Sequence, residues 1–127
     1  GTLMDLLDIE FTAASEQVVE AIMPLGPKHM QPAGSVHGGA LIALAESVGS
    51  AGSFVQVDPD KFQVYGAVVN SQHLHPATGG VLHAAARLVA RTEFKHIWDV
   101  EIKDDRGKII SISRVTNSVK PKQQTEQ

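Results

Sequence analysis

The sequence predicts an α+β domain in which an antiparallel sheet wraps around one long helix. A helical pattern rich in alanine and leucine runs through residues 36–55 and contains no proline. Runs with strand character stand on both sides of it, and clusters of proline and glycine separate several of them. The length of 127 residues suits one domain with a modest core.

The segment before the helix, residues 9–25, alternates loosely between apolar and polar side chains. We interpret it as two short strands joined near Ser15, with a helical alternative open for residues 16–22. Residues 26–35 contain two prolines and two glycines. This composition predicts a loop that leads into the helix.

Four more strands are predicted after the helix, which ends at the Asp-Pro-Asp sequence of residues 58–60. They cover residues 62–75, 81–92, 95–103 and 108–119. Residues 104–107 read Asp-Asp-Arg-Gly, which is typical of a tight hairpin turn with glycine available for a positive φ.

These elements predict a single domain over residues 1–119 and a disordered polar tail over residues 120–127. A sheet curled around one helix has one face and its edge strands uncovered. We therefore expect a homo-oligomer, with a dimer as the minimum.

Composition excludes several classes of function. The net charge of −3 gives no basic surface for nucleic acid, and the chain has no cysteine for a disulfide, a thiolate metal site or a nucleophile. The long stretch of low charge, residues 38–57, contains Glu46 and four glycines, so we interpret it as a buried helix and expect no membrane partner. Residues 1–10 carry acids and no positive n-region, which favours a cytoplasmic location.

Glu46 is the only charged residue between His37 and Asp58. On a helix, Ser50 and Ser53 share its face at spacings of four and seven residues. A helix face that points to solvent usually carries several charged residues of both signs, whereas this one has a single acid and serines. The pattern therefore favours a cleft over an ordinary solvated face, which remains the alternative.

Two glycines, Gly38 and Gly39, follow His37 at the predicted start of the helix. Glycines let a ligand approach the backbone, and the free N–H groups of a helix start can bind an oxyanion. Gly38 and Glu46 are separated by about 12 Å at roughly 1.5 Å per helical residue. One carbonyl group cannot reach both groups in a single chain, so the pattern predicts a site shared by two subunits related by a two-fold axis.

The run HGGALIALAESVGS, residues 37–50, resembles the signature of hot-dog-fold thioesterases. The similarity continues through residues 69–73, 98–102 and 105–108, and so covers nearly the whole chain. The subgroup it most resembles includes bacterial 1,4-dihydroxy-2-naphthoyl-CoA, enterobactin proofreading and Arthrobacter-type 4-hydroxybenzoyl-CoA thioesterases. The resemblance implies a hot-dog fold, a homotetramer and hydrolysis of an acyl- or aryl-coenzyme A thioester. It implies no cofactor, because coenzyme A is part of the substrate.

The resemblance also implies a role for each matching residue. Glu46 would be the catalytic carboxylate, either as nucleophile or as general base on water. The Gly38 N–H would polarise the thioester carbonyl, helped by the Gln31 amide. His37 would orient the thioester or assist the departing thiolate, and Ser50 would hold the water or the carboxylate. A carrier-protein thioester as substrate, a non-catalytic acyl-CoA-binding domain and, less well matched, a hydratase remain alternatives.

Two pairs of residues are candidates for binding the coenzyme A part of the substrate. His73 and His75 point the same way on a strand, which also suits a metal, but no third ligand is evident. We therefore expect no metal there. Arg91 and Lys95 flank a turn between two late strands and suit phosphate groups, with solvated strand-end charges as the alternative.

Overall fold

A computed structural model describes residues 1–123, apart from the side chain of Ala67. The elements are α1 (Leu3–Leu6), β1 (Glu10–Ala14), β2 (Val18–Pro24), a 3-10 turn (Pro27–His29), α2 (Gly38–Phe54), β3 (Phe62–His73), β4 (Val81–Arg91), β5 (Lys95–Lys103) and β6 (Ile109–Pro121). The expected strands, loop and long helix are all present. The two elements that the sequence did not predict are α1 and the 3-10 turn.

The six strands form one antiparallel sheet in the order β1-β2-β4-β5-β6-β3, so β1 and β3 are its edges. The sheet curls around α2, which confirms the predicted hot-dog architecture. Side chains alternate between the two faces of the sheet along β5. Trp98, Val100 and Ile102 are buried on the inner face, which packs against α2, while Glu101 is exposed. The turn between β5 and β6 has Gly107 at a φ of 81°, as its sequence predicted.

The α2 helix lies directly on the sheet because two glycines face it. A Cβ at Gly49 would lie 2.8 Å from Val115 Cβ, and one at Gly52 would enter the ring of Trp98. The missing side chains therefore set how closely helix and sheet approach. Core residues of α2 such as Leu44 and Val48 are fully buried against the strands.

Two expectations about the C-terminal end of the chain need correction or limits, and a large side chain is exposed. Strand β6 continues through Lys120 and Pro121, which were predicted to belong to the polar tail, because both pair with β3. Residues 124–127 of that predicted tail lie outside the described residues. Tyr65 is 49% exposed, because β3 is an edge strand. No helix within residues 1–123 is both long and apolar enough to cross a membrane.

Candidate functional site

Glu46 lies in an open groove of about 630 Å³ beside the middle of α2. Its side chain is exposed, and the half-buried Ser50 lies one turn further along the same wall. The rest of the wall is mostly apolar and comes from α1, β1 and α2: Thr2, Leu3, Met4, Phe11, Ala43, Ser47, Ala51, Phe54 and Val55. The predicted cleft is therefore present, with a carboxylate and a hydroxyl in an apolar groove.

The Glu46 carboxylate makes no hydrogen bond or ion pair with any residue in the ranges 1–66 and 68–123. Its Oε1 lies against the backbone of β3 at Gly66, where a Cβ would be only 2.7 Å away. A carboxylate has about four acceptor positions, and all of them remain for a ligand or water.

The N-terminal end of α2 has one N–H group without an acceptor. His37 caps the helix, because its Nδ1 accepts from the Gly39 N–H at 2.8 Å. The His37 carbonyl accepts from the N–H groups of Ala40 and Leu41 at 2.9 and 3.3 Å. Only the Gly38 N–H has no acceptor among the residues that the structure describes. Since Nδ1 of His37 is an acceptor, its neutral ring carries the proton on Nε2.

The Gln31 amide is held within the loop before α2. Its Nε2 donates to Ser35 Oγ at 2.8 Å, and its Oε1 accepts from the Ala33 N–H at 2.7 Å. A primary amide has two N–H groups, so one remains for a ligand. The loop is closed by a bridge between Met30 and Val36, which fixes the position of Gln31 relative to the helix start.

His73 and His75 line a second hollow, of about 260 Å³, together with Gly38. Ser111 Oγ donates to the Gln72 carbonyl at 3.2 Å and so accepts from His73 Nδ1 at 2.9 Å. Nε2 of His73 therefore has a free lone pair, and it lies 3.1 Å from where a Gly38 Cβ would be. His75 Nδ1 donates to the Ile109 carbonyl at 3.0 Å. Within the described part of the chain, no three potential ligands come together to hold a metal.

Ser53 does not share the groove, although its spacing from Glu46 predicted that it would. It is fully buried, since β5 and β6 cover this end of α2. Its Oγ accepts from Trp98 Nε1 at 3.0 Å and from Asn117 Nδ2 at 2.8 Å, which fills both lone pairs. The Ser53 hydroxyl must therefore donate to His96 Nδ1, 2.9 Å away.

His96 is thus held neutral by its surroundings. Burial lowers the pKa of His96 below its ordinary value, and the nearby Arg91 cation lowers it further. This buried His96 is not available to contact a phosphate group.

Arg91 and Lys95 lie at the exposed turn between β4 and β5. Arg91 Nη1 donates to Gln56 Oε1 at 2.8 Å, just beyond the C-terminal end of α2. This position is at the opposite end of the helix from Gly38, about 25 Å away at roughly 1.5 Å per residue.

The candidate residues therefore form separate groups in one chain. Glu46 and Ser50 line one hollow, Gly38 and the two histidines line another, and Arg91 and Lys95 lie beyond the far end of α2. A single chain does not bring the carboxylate and the free N–H together.

Comparison with known proteins decides which family this arrangement belongs to. The family model described as "Thioesterase superfamily" matches residues 33–111, which include the loop after Gln31, the whole of α2 and most of the sheet. The chain belongs to the thioesterase superfamily.

Named relatives cover nearly the whole length of this thioesterase. The 1,4-dihydroxy-2-naphthoyl-CoA hydrolase of Escherichia coli is 30% identical over 94% of this chain and 87% of its own length. A solved thioesterase from Pseudomonas aeruginosa, crystallised as a variant, has a TM-score of 0.93 at 36% identity and covers 96% of this chain and 88% of its own. A solved thioesterase from Haemophilus influenzae has a TM-score of 0.92 at 31% identity and covers 100% of this chain and 88% of its own. The protein is therefore a thioester hydrolase.

Sequence reasoning missed two residues that shape the site of this thioesterase. Gly66 makes room for the Glu46 carboxylate, and glycine inside a strand is a known sign of close approach that could have identified it. His29 is buried and joins the groove wall to the loop, because its Nε2 donates to the Leu7 carbonyl at 2.7 Å and its Nδ1 accepts from the Gly26 N–H at 2.9 Å. A single histidine in a loop gives no sequence signal for that role.

Proposed function

We propose that this thioesterase hydrolyses an acyl- or aryl-coenzyme A thioester to the free acid and coenzyme A, with Glu46 as the catalytic carboxylate. The observation that carries the proposal is a carboxylate in a mostly apolar groove, without a partner among the residues that the structure describes. The groove suits the acyl part of a substrate, and the name of the Escherichia coli relative supports a coenzyme A thioester. A thioester on a carrier protein would meet the same chemistry and is the alternative substrate.

In the proposed reaction the thioester oxygen binds where the free Gly38 N–H and the remaining Gln31 N–H can donate to it. These donors stabilise the negative charge that develops on that oxygen. Glu46 then either attacks the carbonyl carbon, to give an anhydride that water cleaves, or removes a proton from an attacking water. Ser50 holds the water or the carboxylate, and the His37 Nε2–H orients the thioester or assists the thiolate, which leaves as coenzyme A.

We propose that each active site is shared between two subunits. Gly38 and Glu46 lie eight residues apart on one helix, about 12 Å along its axis. The uncovered edge of β3 offers a way to bring Gly38 and Glu46 of different subunits together. Two residues of this strand contact them, since Gly66 lies beside Glu46 and His73 lies beside Gly38. Two β3 edges paired antiparallel about an axis near Asn70 would bring Gly66 of one subunit opposite His73 of the partner subunit.

This pairing gives a two-fold dimer with two equivalent sites, and the family resemblance extends the proposal to a tetramer of two dimers. Arg91 and Lys95, with His73 and His75, are proposed to contact the coenzyme A part. A cytoplasmic location remains a prediction from the sequence.

The carboxylate role is tested with Glu46→Gln, assayed on a panel of aryl-, short-chain and long-chain acyl-CoAs. We expect a folded protein whose turnover is lower by orders of magnitude, because amide nitrogen can neither attack nor accept the proton. Circular dichroism checks the fold. A folded variant with near-normal turnover would remove Glu46 from the reaction and favour a non-catalytic acyl-CoA-binding domain.

The shared site is tested by mixing two inactive variants. Glu46→Ala and Gln31→Ala chains are refolded together, so that in a mixed dimer one site carries both defects and the other is intact. Activity of about 25% of wild type is expected for random pairing, independent sites and inactive parents. Mixed dimers that form without any gain in activity would contradict the shared site.

We also propose that the reaction needs no metal, since His73 and His75 have no third ligand beside them within residues 1–123. Turnover should therefore be the same before and after treatment with a chelator. Loss of turnover that zinc or another divalent ion restores would refute this.

A further inference from the structure

The side chain of Glu46 rests against the backbone of the edge strand β3 at Gly66. A Cβ on Gly66 would lie 2.7 Å from Glu46 Oε1 and 3.7 Å from its Cδ. Ordinary van der Waals contact begins at 3.4 Å. The carboxylate therefore occupies the space that any other residue's side chain would fill.

Backbone conformation does not account for this glycine. The glycines with positive φ are Gly34, Gly80 and Gly107, and Gly66 is not among them. The strand is irregular here, because its register with β6 shifts between Gly66 and Val68. A β-bulge bends a strand locally and re-aims its side chains, and bulges occur often beside active sites.

The carboxylate has no polar anchor within residues 1–66 and 68–123, so the walls around it limit where it can point. A glutamate has three side-chain torsions, and an unrestrained one loses much conformational freedom when it must adopt a single reactive position. The bare backbone of Gly66 faces Oε1 from the sheet side.

We propose that Gly66 is a positioning residue: the absence of a side chain there sets the resting position of the Glu46 carboxylate in the groove. The proposal rests on the proposed catalytic role of Glu46. Gly66 itself need not touch the substrate.

The test is Gly66→Ala. The new Cβ must push Oε1 back by about 0.7 Å, from 2.7 to 3.4 Å. The atom that yields is the far end of a flexible side chain, so the fold is kept and the melting temperature should not fall. We expect kcat to decrease about ten- to a hundredfold, since a misplacement of about 1 Å can reduce a rate by about two orders of magnitude. KM should change by less than about twofold, because the acyl groove is untouched.

Two further variants separate positioning from a general effect of the substitution. Gly79→Ala is the matched control, because a Cβ there meets nothing within 4 Å and its φ is not positive. It should leave kcat and KM as in wild type. Glu46→Asp shortens the side chain by one methylene group, which takes the carboxylate away from Gly66. In this background, adding Gly66→Ala should lower kcat by less than about twofold.

Gly66 is on an edge strand, so Gly66→Ala could change the oligomeric state. Size-exclusion chromatography of the variant and of wild type checks this by their elution volumes. A loss of turnover that accompanies dissociation of the oligomer would show that the new side chain acts by breaking the interface and not by moving the carboxylate, and would overturn the proposal. Equal losses of kcat in the wild-type and Glu46→Asp backgrounds would overturn it as well.

Failure of the proposed function gives a different pattern. If Glu46→Gln retains turnover, the catalytic role of Glu46 is wrong, whatever Gly66→Ala does. If Glu46→Gln is inactive and Gly66→Ala is fully active, the positioning role is wrong. A crystal structure of Gly66→Ala reads the contact directly: a carboxylate shifted by about 0.7 Å supports the proposal, and an unmoved one overturns it.

Discussion

Along α2, the polar groups beside the open hollows and the serine buried under the sheet are in opposite states. In the N-terminal half, the Gly38 N–H and the Glu46 carboxylate have no partner among residues 1–66 and 68–123. In the C-terminal half, the buried Ser53 hydroxyl makes three hydrogen bonds, to His96, Trp98 and Asn117. Polar groups without partners beside solvent indicate a place where a ligand can bind. Buried polar groups whose hydrogen bonds are all made stabilise the fold.

The largest expected effect comes from removing the free N–H at the helix start. Gly38→Pro deletes it, and proline suits this first helical position because His37 before it is extended, with φ −67° and ψ 133°. Gly38→Ala adds the same Cβ, 3.1 Å from His73 Nε2, and keeps the N–H. We expect kcat of Gly38→Pro to be about 10²- to 10³-fold below that of Gly38→Ala.

Steady-state kinetics of both variants measure this difference, and thermal unfolding shows whether they are equally stable. Similar kcat values for the two would mean that the free N–H does not bind the oxyanion. Unpaired polar groups on α2 would then not indicate where the substrate binds.

In the other half the expected effect is on stability. Ser53→Ala leaves Trp98 Nε1 buried without its acceptor and removes one of the two acceptors of Asn117 Nδ2, which still donates to the Gly49 carbonyl. The free energy of unfolding should therefore fall by about 2–4 kcal/mol. Ser47→Ala is the matched control on the same helix. Among the described residues, the Ser47 hydroxyl bonds only to the Ala43 carbonyl of its own helix, at 2.7 Å. Its loss should therefore change stability by less than about 0.5 kcal/mol.

Urea unfolding measures both values, and kcat of the folded Ser53→Ala should stay within a few-fold of wild type. If Ser53→Ala and Ser47→Ala were equally stable, the buried hydrogen bonds would not hold this end of the helix. A selective loss of kcat would instead give Ser53 a part in the reaction.

A smaller effect is expected from pH, through His96. Because its folded pKa is lowered, the unfolded chain binds more protons over the interval between the folded and ordinary values. The free energy of unfolding should therefore fall as pH drops from about 6.5 through the lower folded pKa, and level off below it. His96→Gln should remove this part of the pH dependence.

The measurement is urea unfolding of wild type and His96→Gln across pH 5 to 8, and the difference between the two curves isolates this histidine from the other five. Parallel curves would show that His96 is not held neutral by the fold.

The smallest effect is expected at the exposed turn between β4 and β5. Replacing Arg91 or Lys95 by Gln should raise KM for a coenzyme A thioester by no more than about fivefold, because a solvent-exposed ion pair contributes about 1 kcal/mol or less. The matching pantetheine thioester, which lacks the nucleotide phosphates, serves as control and should show no change. An equal rise in KM for both substrates would contradict a phosphate contact.

Most of the fold could be predicted from the sequence because its signals are local. Alternation marks the strands, Gly107 marks the turn, and the long helix stands out by composition. By contrast, α1 has only four residues and its position depends on contacts with the loop, including the bond from His29 to the Leu7 carbonyl. The exposure of Tyr65 depends on β3 being an edge strand, which the order of strands decides.

The candidate site was predictable where one residue stands out from its neighbours. Glu46 is the only charge in its helix, and its groove is present. Ser53 has the same helical spacing as a groove residue, but the curl of the sheet over the end of the helix buries it. The contact between Gly66 and Glu46 joins residues twenty positions apart. A glycine inside a strand indicates that something approaches closely, but it does not indicate which residue does.

The groove walls have a consequence for how this protein can diverge. Leu3, Phe11, Phe54 and Val55 line the groove and are 43–62% exposed. Replacing such side chains removes little buried contact, so most substitutions there should be tolerated by the fold. The core beneath them, with Leu44 and Trp98 fully buried, tolerates far less. Under the proposed function, substitutions in these walls can therefore change the acyl preference while the scaffold stays constant.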